Sequence, residues 1–94
     1  MVENPGEKAR KYLTSIGTVL SEIEISKTCC NIDEKSVRSI VESAESYVED
    51  ARHYLKERPS TALAAVSYAE GLLDALRLLG AAKFTWPGTR GDRY

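Results

Sequence analysis

The chain has 94 residues, 43% of them hydrophobic and 29% charged, with a formal net charge of −1. That is enough for one small domain with a single core, and it excludes wholesale disorder. The charge balance gives no bias toward nucleic acid or anionic lipid, and no apolar run reaches the roughly 18 residues that span a bilayer.

The opening segment MVENPGEKARK has charges but no apolar signal core, so a cytoplasmic protein is expected. Asn4-Pro5 announces the first helix, a capping residue followed by proline at the first helical position. Ala9, Tyr12, Leu13, Ile16, Val19, Leu20 and Ile23 then recur at helical spacing. Their stripe is roughly 120° wide, and the pattern fades near residue 26. The helix is therefore predicted over 5–26.

The connector KTCCNID contains two adjacent cysteines, Cys29 and Cys30, and the only histidine is His53. A bridge between neighbours closes almost no loop, and a zinc site needs about four ligands. Two reduced thiols at a turn are expected. Asn31 with Glu34 has capping-box spacing, and Asp33 is the rival cap.

The second helix, predicted over 33–58, places Val37, Ile40, Val41, Ala44, Tyr47, Val48, Ala51, Tyr54 and Leu55 on a stripe. That stripe is roughly 140° wide. Acids at its start and bases at its end agree with the helix dipole. Pro59 stops it, and Ser60 is the expected cap of a third helix over 61–79, closed by Gly80. Connections this short make neighbouring helices antiparallel. The expected fold is all-α, an up-down-up three-helix bundle over 1–80 with no strand. The segment 81–94 is expected to be a partly ordered tail, with Phe84 and Trp86 packing back on the bundle. Arg90-Gly91-Asp92 matches a cell-adhesion motif, which carries no weight in a chain without an export signal.

The third helix is unusual. Ser67, Glu70, Asp74 and Arg77 fall in a wedge of roughly 80°, and the rest of the helix is apolar over roughly 240°. Leu63, Val66, Leu72, Leu73, Leu76 and Leu79 supply core bulk. Ala64, Tyr68, Gly71, Ala75 and Leu78 form a second line of mostly small residues, on which another helix can approach closely. Either the tail, a second copy or another protein should cover that line. For Glu70, Asp74 and Arg77 the plainer reading is a solvated face with an Asp–Arg pair, and the rival is a paired-carboxylate site. The other helices bring no acid or histidine to their apolar stripes, which favours the solvated face.

Lys8, Arg10, Lys11, Lys56 and Arg58 gather toward one end of such a bundle and are the candidate anion-binding set, opposed by nearby acids. No catalytic motif, metal site or cofactor site is found.

The stretch LKERPSTALAAVSYAEGLLDALRLLG, residues 55–80, resembles the archaeal family DUF357, small helical domains of unknown function. The resemblance rests on Ala62 to Ala69, then Tyr68 to Ala75, then the closing Gly80. It implies a three-helix bundle of archaeal origin with no assigned activity, and it makes Tyr68, Gly71, Asp74 and Gly80 parts of a shared signature. A comparison with HEPN domains, whose nuclease motif places an arginine four to six residues before a histidine within a helix, finds only Arg52 beside His53, so the catalytic version is not supported. The expected function is a noncatalytic helical interaction module, with a homodimer or another helical protein as its partner. The alternative is an accessory that handles nucleotides or nucleic acid through the basic end. Salt-sensitive binding would mark the latter.

Overall fold

The computed structural model describes residues 4–26 and 31–87. Cys29, Cys30 and the segment 90–92 lie outside the described residues. The elements in order are α1 (Pro5–Glu22), β1 (Glu24–Ile25), α2 (Glu34–Tyr54), α3 (Pro59–Leu79) and β2 (Ala82–Lys83).

Local chemistry sets the helix ends. The Asn4 side chain accepts the Glu7 N–H at 2.8 Å, and Pro5 occupies the first position of α1, where a missing N–H costs nothing. Asp33, rather than Asn31, caps α2 by accepting the Ser36 N–H at 2.7 Å. Asn31 instead turns the chain at φ +60. The predicted Ser60 cap is corrected, because α3 begins at Pro59 and Arg58 takes the cap position without a side-chain bond. At the far end Gly80 adopts φ +80, and the Gly80 and Ala81 N–H groups return to the Arg77 and Leu76 carbonyls. That arrangement is a Schellman closure.

Three contacts fix the helix directions. A Cβ added at Gly6 would lie 3.5 Å from Pro59 Cβ, so α1 and α3 start side by side. Their far ends meet where the Ser26 N–H donates to the Ala81 carbonyl at 2.9 Å. A short turn over 55–58 joins α2 to α3, and the rings of Tyr47 and Tyr68 meet at 4.5 Å between centroids, so α2 runs back along α3. The bundle is up-down-up, as expected.

The core takes the predicted stripes. Ala9, Ile16 and Val19 of α1 meet Val37, Ala44, Val48 and Ala51 of α2, and Val66, Ala69, Leu73 and Leu76 of α3. Alanines at the crossings let the backbones close up, and the larger chains fill the space between.

Two expectations fail together at the upper end. The first helix stops at Glu22 rather than residue 26, and a short ladder replaces its last turn. Strand β1 pairs antiparallel with β2, Glu24 opposite Lys83 and Ile25 opposite Ala82. The bundle therefore does not end at residue 80, because Ala81, Ala82 and Trp86 are buried in the same core. Packing of Trp86 onto the bundle agrees with the sequence reading.

Candidate functional site

The outer side of α3 carries the line of small residues seen in the sequence. Ala64, Tyr68, Gly71, Ala75 and Leu78 are all exposed, Tyr68 at 55% and Leu78 at 68%. Leu79, expected among the core residues, is exposed beside them. Steps of four and three keep such residues on one side as the helix turns. A Cβ added at Gly71 would meet nothing within 4 Å, so the middle of the strip is flat and open. The described part of the tail, residues 81–87, turns toward Asp74 and Arg77 and away from this strip.

Beside the strip α2 presents Ser36, Ser43, Tyr47, Asp50 and Tyr54, which share a side at helical spacing. Between the two helices Tyr47, Asp50, Tyr54, Thr61, Ala64 and Tyr68 line an open groove of about 320 Å³. The Tyr47–Tyr68 ring pair forms one wall, and among the described residues Asp50 is the only charge that lines it. Sequence reasoning found the α3 side of this groove and missed the α2 side. The sequence pattern places Tyr47 and Tyr54 on the core stripe; Tyr47 is exposed instead, and Tyr54, half-buried, packs on the core and lines the groove as well. The readable signal was the spacing of Ser43, Tyr47, Asp50 and Tyr54 along the edge of the stripe.

The solvated reading of Glu70 and Asp74 is overturned. Each is only 4% exposed. Oδ1 of Asp74 accepts two hydrogen bonds, from Arg77 Nε and from the indole Nε1 of Trp86, both at 3.0 Å. Phe84 meets the Trp86 ring edge-on at 5.2 Å, and Arg77 is half-buried below them. The Asp–Arg pair was correctly expected, and its burial was not. A buried indole N–H needs an acceptor, and an acid inside an apolar helix supplies one. Asp74, with Arg77 beside it, holds the tail in place.

The basic candidates divide. Lys56 and Arg58 line a depression at the α2–α3 turn together with Arg52 and His53, whereas Lys8, Arg10 and Lys11 do not line it. All five predicted bases are exposed, and Arg52 is bonded to Glu49. His53 packs edge-on against Tyr54 at 4.9 Å. Among the described residues, no cluster of three His, Cys, Asp or Glu side chains forms a metal site. Nor is any helix among them long and apolar enough to cross a membrane.

No curated protein and no solved structure matches the chain. Residues 11–82 match a family model described as a protein of unknown function, DUF357. The matched stretch contains α2, α3, the exposed strip and both buried acids, and it ends before Trp86. Over so much of its length, the chain belongs to the DUF357 family.

Proposed function

We propose that the protein is a noncatalytic helical docking module that self-associates through the outer face of α3. The observation that carries this reading is the exposed line of Ala64, Tyr68, Gly71, Ala75 and Leu78. Contiguous apolar surface facing water is a liability unless something covers it, and small side chains let a second helix approach to close range. The partner is a second copy of the chain. In a two-fold contact each residue near the axis meets its own copy, so a charge there would face its like. This chain is 29% charged, yet the strip has no charge on it. The noncatalytic part of the reading is supported by Asp74, whose carboxylate is engaged in holding Trp86 and Arg77.

The test is solution mass against concentration for the native chain and for Gly71→Glu. The open space at Gly71 accepts the new side chain without a clash, so loss of the dimer would report the interface and not unfolding.

A further inference from the structure

We infer that the groove between α2 and α3 is a recognition site for an arginine side chain presented by a helix of another protein. Three of the five tyrosines of the chain line it, and Tyr47 and Tyr68 hold their rings 4.5 Å apart at a tilt of 39°. Aromatic faces attract cations, and the planar guanidinium is the cation that stacks on them best. One carboxylate, Asp50, stands at the same groove, and among the described residues it has no ion-pair partner. The nearest arginine in sequence, Arg52, is bonded to Glu49 instead. Aromatic walls with a single acid complement a guanidinium on an aliphatic stem. They do not suit an anion, and a purely apolar ligand would leave Asp50 facing it.

The helix that carries the arginine lies along the α3 strip in place of the second copy, so the inference rests on that face being a docking surface and not on which partner fills it. Ala64 and Tyr68 belong to both the strip and the groove, and the arginine-bearing helix therefore competes with the second copy.

The probe is an alanine-based helical peptide with one central arginine, titrated into the isotope-labelled full-length protein and followed by amide chemical shifts. Its counterpart carries citrulline, which has the same shape without the charge. The expected result is a set of shifts concentrated at Tyr47, Asp50 and Tyr68. Binding should weaken about fivefold for the citrulline peptide, and equally for the arginine peptide on Asp50→Asn, the order expected for one stacked and paired cation. Equal binding of the two peptides would overturn the inference in favour of a simple apolar groove. Shifts spread over Glu42, Glu45 and Glu49 would overturn it as general attraction to acids. Shifts at Tyr47 and Tyr68 that follow protein concentration and ignore the peptide would give the groove to a second copy. Self-association is read separately from mass, so a peptide that fails leaves the dimer standing, and a monomer that binds the peptide leaves the groove standing.

Discussion

Trp86 donates its indole N–H to Oδ1 of Asp74 across twelve residues of sequence, and this bond fastens the segment after α3 to the side of that helix. The same oxygen accepts from Arg77 at 3.0 Å, so one buried carboxylate organises both the last turn of the helix and the strap beyond it. The bond should be measurable as a coupling. Trp86→Phe, Asp74→Ala and the double variant form a cycle, in which partners in direct contact give about 0.5–3 kcal/mol. Asp74→Ala alone should cost about 1–3 kcal/mol, because it removes the acceptor of a buried donor. Trp86 is the only tryptophan, so its emission in Asp74→Ala reports whether the ring becomes wetted. Additive losses in denaturant melts would mean that the bond contributes nothing.

Two glycines of α3 should respond in opposite directions to alanine. Gly71 sits inside the helix with nothing near the added methyl, so Gly71→Ala should stabilise by about 0.5–1 kcal/mol. Gly80 holds φ +80, where a Cβ crowds the following carbonyl, and Gly80→Ala should destabilise by about 1–2 kcal/mol. Thermal or urea melts of the pair read both signs.

Leu73 and Leu78 lie about 1.4 turns apart on α3 and face away from each other, the first fully buried and the second 68% exposed. Leu73→Ala should cost about 2–5 kcal/mol through the cavity it leaves. Leu78→Ala should stay within about 0.5 kcal/mol in dilute solution, because among the described residues its side chain is mostly exposed. Comparable losses at the two positions in chemical denaturation would contradict the assigned orientation of α3.

Asp33 sets an acid limb in stability. The Ser36 backbone N–H, with its hydroxyl in second place, holds the Asp33 carboxyl below the ordinary carboxylate value. Folding therefore favours the ionised form. The contribution is complete above the ordinary carboxylate range and is lost as pH falls through the lowered value. Asparagine caps without ionising, so the stability of the native chain relative to Asp33→Asn should decline on acidification below about pH 4. A difference between the two that is independent of pH would refute the cap assignment.

The legible parts of this molecule are those that a single helix encodes. Spacing alone located Ala9 to Val19, Val37 to Ala51 and the strip from Ala64 to Leu78, because each repeats with the turn of its own helix. The illegible parts depend on pairing between distant segments. The predicted helix runs on through Glu24 and Ile25, yet they leave it because Ala82 and Lys83 offer backbone partners. Asp74 looks like the wet edge of a helix until the strap closes over it, and no property of α3 alone announces that. The groove was half legible for the same reason. Its α3 wall followed from period, and its α2 wall required knowing which side of Tyr47 meets Tyr68.

The central claim is that the outer face of α3 joins two copies of the chain, and light scattering across a range of protein concentrations tests it most directly. The account predicts a dimer at high concentration that Gly71→Glu converts into a monomer with an unchanged helical circular dichroism spectrum. A monomer at every concentration, or a dimer that Gly71→Glu leaves intact, would contradict it.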